Sequence, residues 1–246
     1  MKNLFSVVLA GVVCGARAFA QAPAPGGALD YGMEKLFSGN PVFSATMQTE
    51  TATANGPLIV VAKMFYNHQN TRIDMDVANI KSAALPRGTV SQMQAVGIDK
   101  FVTIIPADKK TTTIVYPKLR SYATMALANG TSGNDYTIQS IKPMGSETVN
   151  GHPSTRNQVT MTAGNTSREF TVWNASDLNN FPVKISMSTG NGSEVLTFQN
   201  VSFNKLRSDI FTPPSNFTRY DTVQDIMQSA VMSHSPGAGS QAPAQH

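Results

Sequence analysis

Groups able to do chemistry are few in this chain, and their spacing works against most of the reactions they could support. The four histidines are His68, His152, His234 and His246. A zinc site wants His or Cys pairs at short fixed spacings, because one loop or one helix face must present two ligands to the same ion. None of the four histidines is so placed. His68 and His152 sit in or beside turns and read as surface residues, so neither a metal nor a cofactor is expected. Ser193 follows Gly190, Asn191 and Gly192, but a nucleophile elbow needs a G-x-S-x-G turn leading from a strand into a helix, and this stretch reads as a hairpin turn. Asp74 and Asp76 share one face of a strand, which two glycosidase carboxylates could use. Ile73, Met75 and Val77 fill the opposite face, so the aspartates read as the solvated side. No glycine loop leads from a strand into a helix to cradle phosphate. No catalytic residue is assigned, and the chain reads as non-enzymatic.

The N-terminus explains part of this poverty. Lys2, an apolar run from Leu4 to Val13 and then Ala18, Phe19 and Ala20 have the order of a secretory signal peptide, residues 1–20, cleaved after Ala20. The run is shorter than the roughly 20 apolar residues of a membrane span, and no later stretch approaches that length. Cleavage removes Cys14, the single cysteine of the chain, so the mature protein has no thiol nucleophile and no disulfide. Val12 and Val13 stand where a lipidated cysteine would follow a small residue. Loss of Lys2 and Arg17 lowers the formal charge from +4 to +2. The remaining basic residues are scattered, without the stripe that a nucleic-acid partner requires.

Residues 21–28 (QAPAPGGA) and 233–246 (SHSPGAGSQAPAQH) have compositions that cannot build a core, a leader and a tail. Between them, 29–232 reads as one domain. A short helix capped by Asp30 carries Leu29, Met33, Leu36 and Phe37 near one face and ends at Gly39–Pro41. From Val42 the period changes to two. Strands are expected around Phe43–Met47, Leu58–Tyr66 and Ile73–Val77. Residues 79–97 interrupt the pattern as an insertion or lid. Lys100–Pro106 and Thr111–Tyr116 then form a hairpin, followed by strands at Ser121–Leu127, Asp135–Lys142, Glu147–Val149 and Ser154–Thr162. The Asn150–Gly151 turn between the last two is of the hairpin-closing type. The run Arg168–Lys184 holds the only tryptophan. It reads as strand, break and strand, with Pro182 forbidding a helix and Trp173 buried. In Glu194–Phe203 the apolar parity changes between Phe198 and Val201, which a bulge near Asn200 would reconcile. Asp221 is expected to cap a last helix bearing Val223, Ile226, Met227, Ala230 and Val231.

These elements make a mainly β protein. Its expected core is a single large curved antiparallel sheet of about ten or eleven strands with short flanking helices. Leu58–Tyr66 and Phe101–Ile105 are apolar on both faces, and the chain holds 12 Met and 12 Phe. Such a sheet can line a cavity with part of that set, where unbranched Met adapts to varied ligands. A plain core with both faces covered has the same composition.

Four stretches carry a resemblance. Ile104, Ile105, Pro106, Ala107, Asp108, Lys109 and Lys110, with Pro117 and Tyr122, resemble a hairpin of exported bacterial proteins grouped as a domain of unknown function. Gly145, Glu147, Val149, Gly151 and His152 resemble a turn of that family. Val172, Trp173, Ala175, Asp177, Leu178, Pro182, Val183 and Lys184 resemble its most distinctive stretch. Phe211, Pro213, Pro214, Phe217 and Tyr220 resemble its closing segment. The likeness covers roughly Val42 to Met232, and such proteins are similar in pattern to the LolA, LolB and RseB group.

The resemblance implies an incomplete β-barrel closed by helices over a hydrophobic cavity, in a periplasmic, monomeric protein. That protein would bind a lipid, an acyl chain or a lipidated partner. Val60, Met64, Met75, Ile104, Trp173 and Ile185 are the residues assigned to such a cavity. The chain lacks the lipidated cysteine of a LolB-like anchor, and Arg72 is the candidate for a carrier's gating arginine. The competing function is envelope-stress sensing, or docking of an envelope protein partner, with no carried ligand.

Overall fold

Long alternating stretches of β-branched, aromatic and Met residues make long strands, and turns rich in Asn and Gly reverse them. The computed structural model describes residues 33–54, 56–68, 70–83, 85–108, 110–126, 136–189 and 192–233. The signal peptide, the leader, the cap at Asp30, the loop 129–134 and all of the tail but Ser233 lie outside the described residues.

The strands are β1 (Val42–Thr53), β2 (Gly56–Asn67), β3 (Asn70–Lys81), β4 (Lys100–Ile105), β5 (Thr111–Tyr116), β6 (Ser121–Ala126), β7 (Thr137–Val149), β8 (His152–Ala163), β9 (Thr166–Ala175), β10 (Phe181–Thr189), β11 (Gly192–Ser202) and β12 (Thr218–Tyr220). Two α-helices accompany them, α1 (Thr89–Ala95) and α2 (Val223–Ser233), and a 3-10 helix covers Met33–Phe37. All twelve strands belong to one open sheet in the order β12-β6-β5-β4-β3-β2-β1-β11-β10-β9-β8-β7. Neighbours are antiparallel except the short β12, which runs parallel to β6. The chain thus builds one half of the sheet outward from β1 and returns to pair β11 against the free side of β1.

The expected mainly β sheet is present, with two differences in its strands. The segments around Ile138 and Glu147 are one strand, β7, because register shifts at Ile138/Ser140 and Pro143/Gly145 absorb the break in pattern without ending the ladder. Residues after Pro214 add β12, too short to show a period. The expected bulge is there: Asn200 takes φ 52, and the β1–β11 register shifts between Ser44 and Thr46. Asn150 (φ 51) and Gly151 (φ 86) close the β7–β8 hairpin, as the primed turn demands of both central residues. The cap of α2 is Thr222 and not Asp221. Its hydroxyl accepts from the Asp225 backbone N–H at 3.1 Å while Asp225 Oδ2 accepts from the Thr222 N–H at 3.1 Å, a reciprocal box that Asp221 cannot make with these groups.

One face of the sheet, called inner below, carries Phe43, Met47, Met64, Ile73, Val159, Met161, Phe170, Val172, Ile185, Leu196 and Phe198, all buried in one cluster. Among the described residues, what joins this cluster from outside the strands is Leu36 and Phe37 of the 3-10 helix, Tyr136 and Leu178. Over β4–β6 the same face is covered by α1 through Met93 and by α2 through Val223, Ile226 and Met227. The opposite, outer face of that end has a small cluster of its own, Val102, Ile104 and Val115 with Tyr122 and Phe217.

Candidate functional site: the inner face of the sheet

The inner face is set by register. Row by row, Val60, Thr49, Leu196, Ile185 and Val172 stand side by side across β2, β1, β11, β10 and β9, and the next row is Leu58, Thr51, Glu194, Met187 and Phe170. Side chains two apart on a strand share a face, so the apolar members of each row add to one surface, which Thr49, Thr51 and Glu194 interrupt. Phe37 fills its middle, with ring centroids 5.0 Å from Phe43, 5.7 Å from Tyr66, 5.8 Å from Phe181 and 5.6 Å from Phe198. Tilted and edge-on pairs at such distances add to what area burial alone contributes.

Of the six residues assigned to a cavity, Met64, Met75 and Ile185 are buried on the inner face and Val60 packs at its margin. Ile104 is on the other side of the sheet. It lies opposite Arg72 in the β3–β4 ladder, whereas Thr103 lies opposite Ile73, and it packs with Val102 and Val115. Both faces of β4 are covered, which is why the stretch is apolar throughout. Trp173 is 8% exposed and belongs to the main cluster, but it too stands on the outer face: it lies opposite Lys184 and Arg156, whereas its neighbour Val172 lies opposite Ile185. Its indole N–H donates to Glu147 Oε1 at 2.7 Å, and Lys184 Nζ stands 4.5 Å from the ring centre. Sequence reasoning missed Glu147 as its partner, 26 residues away along the chain.

Several charged groups elsewhere are engaged with one another. Arg72 pairs with Asp74 at 2.6 Å and donates to the Ile210 carbonyl at 2.9 Å, tying the segment after β11 to the outer face of β3. Asp76 pairs with Lys100 at 3.0 Å. Burial alone would raise the Asp76 carboxyl, but hydrogen bonds from Lys100 and the Ala78 N–H, with the charges of Lys100 and Lys118, hold it below the usual range. Asp99 is 1% exposed and accepts two hydrogen bonds from Lys118, each 2.8 Å. His152 Nδ1 and Asp177 meet at 2.8 Å on the surface. The Asp76 pair joins β3 to β4, the Asp99 pair joins the segment before β4 to the turn after β5, and the His152 pair joins β8 to the turn after β9. Among the described residues no group of three His, Cys, Asp or Glu is placed to hold a metal ion.

Open concavities among the described residues include two that lie away from the inner face. One, of about 330 Å³, is at the strand tips beside Glu50, Pro57, Ser193 and Val195, and the other is beside Asn150, His152, Gln199 and Asn200. No helix among the described residues is long and apolar enough to cross a membrane.

No family model matches the sequence, and no curated protein does. Among solved structures, the chain is similar to the lipoprotein LppX of Mycobacterium tuberculosis, at 13% identity over 69% of this chain and 91% of that one, with a TM-score of 0.38. It is similar to a LolA superfamily protein of Nitrosomonas europaea, at 9% identity over 75% and 96% of the two chains, with a TM-score of 0.35. It is also similar to LprF of Mycobacterium bovis, at 11% identity over 77% and 94%, with a TM-score of 0.39. One of these is a protein of the LolA superfamily, the group whose pattern the sequence motifs resemble.

Proposed function

We propose that this is a non-enzymatic periplasmic protein, exported with a cleaved signal peptide. It acts as a monomer and binds a lipid, an acyl chain or a lipidated partner against the inner face of its sheet. The observation that supports this most is the character of that face and of its cover. Unbranched Met47, Met64, Met75, Met161 and Met187 alternate with Phe43, Phe170 and Phe198, and the described helix laid over them is the five-residue Met33–Phe37. Met side chains repack around an apolar guest at low cost. Displacing one short 3-10 helix exposes Phe43, Tyr66, Phe181 and Phe198 together. Val60, Met64, Met75 and Ile185 are the proposed contacts of the chain. Trp173 and Ile104 would support it from the far side of the sheet.

The test is extraction of the protein purified from native membranes, with mass spectrometry of the extract, followed by titration with an acyl ligand. Bound acyl chains, or saturable uptake on titration, are expected. Repeated preparations that carry none and bind none overturn the carrier role. A second reading, an envelope-stress sensor or docking module without a carried ligand, is favoured by β7. This edge strand of 13 residues exposes Ile138, Ile141 and Met144, with Ile141 57% exposed. An uncovered edge is a template for strand addition. That reading remains if the extract is empty and the titration flat.

A further inference from the structure

The inner face is mostly apolar, with buried Thr71 and Asn157 among its polar members, and it turns polar again at the end where β1 and β11 run toward their tips. Glu194 stands there, between Thr51 on one side and Met187 on the other, directly beyond Leu196 on its own strand. Leu196 is fully buried and Met187 nearly so, so the Glu194 carboxylate is set on the rim of an apolar surface; the cation on this face at the same end, Arg168 of β9, stands two strands away and one row on, and donates to the Tyr136 hydroxyl. Among the described residues no ion pair or hydrogen bond engages it. Burial holds its carboxyl above the usual range, with no cation to offset the effect. One row inward, Thr49 is 6% exposed, and its buried hydroxyl has no hydrogen-bond partner. Thr49 lies opposite Leu196 and Thr51 opposite Glu194, which makes Thr49 and Glu194 diagonal neighbours on one face, with Cα atoms about 7–8 Å apart. That gap suits one small polar group bonded to both.

A buried hydroxyl and a half-buried carboxylate without partners each cost stability, and such groups are retained where something else satisfies them. An anionic head group would meet an uncompensated carboxylate. A group with N–H donors and a positive charge would satisfy Glu194 with a charge-assisted bond and leave a donor or acceptor position for Thr49. We propose that this end of the inner face is a head-group subsite, in which Glu194 and Thr49 receive a primary ammonium group attached to an apolar chain. The inference rests on the reading of the inner face as an acyl-binding surface, and it adds the polarity and orientation of the ligand: chain along Leu196, Ile185 and Met64, ammonium at the strand tips.

The test uses the full mature chain and three probes of one chain length, decylamine, decanol and decanoate, titrated below their aggregation limits at neutral pH. The net charge of the protein is positive, so long-range attraction alone would favour decanoate. The expected result is the reverse, with decylamine bound at least about ten-fold more tightly than decanoate, a difference of ~1.4 kcal/mol. Glu194→Gln should abolish that preference and leave decanol affinity unchanged. Thr49→Val should weaken decylamine alone. Equal affinities for amine and carboxylate, or a preference that survives Glu194→Gln, overturn the subsite while leaving the acyl surface standing. Binding of none of the three overturns both. Dihexanoyl phosphatidylethanolamine and N-decanoyl-lysine amide place the same ammonium on a lipid head group and on a peptide side chain. Whichever loses affinity on Glu194→Gln identifies the source, and loss in neither overturns the proposal.

Discussion

Trp173 sits with its N–H on a carboxylate, its ring under an ammonium and its body in the main cluster, so a single residue joins packing to polar order. Trp173→Ala removes the ring and leaves Glu147 without that donor, which should cost about 3–5 kcal/mol, read as a fall in the denaturant midpoint at unchanged slope. An unchanged midpoint would show that the ring contributes nothing to the fold. Tyr116 offers a second measurement. Burial under α2 pushes its phenol up to about 12 from 10.0. A group held neutral in the fold keeps its full contribution below its unfolded value, and loses it as the unfolded chain ionises first. Stability should therefore decline between about pH 10 and 12, by at most ~2–3 kcal/mol. Tyr116→Phe should flatten that decline and remove one late-titrating phenol from the absorbance titration. At this scale the sequence showed types but not partners. The burial of Trp173 was readable from its β-branched and aromatic neighbours, whereas the isolation of Glu194 becomes visible only when β1 and β11, some 145 positions apart along the chain, are laid side by side.

The elements were readable wherever a period ran long enough and unreadable where covering a neighbour sets the structure. β1, β3 and the strands flanking the turn at Asn179 follow from alternation and turn chemistry. The region 79–97, expected as an insertion or lid, contains α1, whose Met93 packs with Val96 against the cluster under α2, and that role depends on β4–β6 being beneath it. Lys118 fastens the same corner by its bonds to Asp99. Removing the ammonium strands a buried carboxylate, so Lys118→Met should cost about 3–5 kcal/mol, and clearly more than Lys100→Met, whose ammonium is in solvent at the Asp76 pair. Equal losses in thermal denaturation would contradict this ranking. The 3-10 helix Met33–Phe37 makes the functional counterpart. Phe37→Ala should lose about 3–5 kcal/mol. It should also raise uptake of an apolar fluorescent probe such as N-phenyl-1-naphthylamine, because the cavity opens toward four rings. Destabilisation without added uptake would show the helix to be structural cover alone.

For the molecule as a whole, the sheet order could not be read from the sequence, because no local pattern says that β11 returns to β1 across the whole domain. That closure makes the topology strongly non-local, and folding slow in proportion to the loop that must close. It also poses the question of cooperativity. One cluster holds β1–β3 with β8–β11, and another holds β4–β6 with the two helices. The link on the inner face is Phe101 of β4, which lies opposite Met75 and packs against both clusters, alongside the β3–β4 ladder from Thr71–Ile105 to Asp76–Lys100. With Phe101 in place, the two halves should unfold as one unit, so that Trp173 fluorescence and far-ultraviolet dichroism give coincident denaturant curves. Phe101→Ala removes the apolar side chain shared by the two clusters and leaves the β3–β4 ladder with its Asp76–Lys100 pair. Amides of β5 and β6 should then lose exchange protection at lower denaturant than those of β9 and β10, and the two optical curves should separate. Curves that stay coincident in Phe101→Ala would mean that the continuous sheet, and not the side chain across its inner face, carries cooperativity from one cluster to the other.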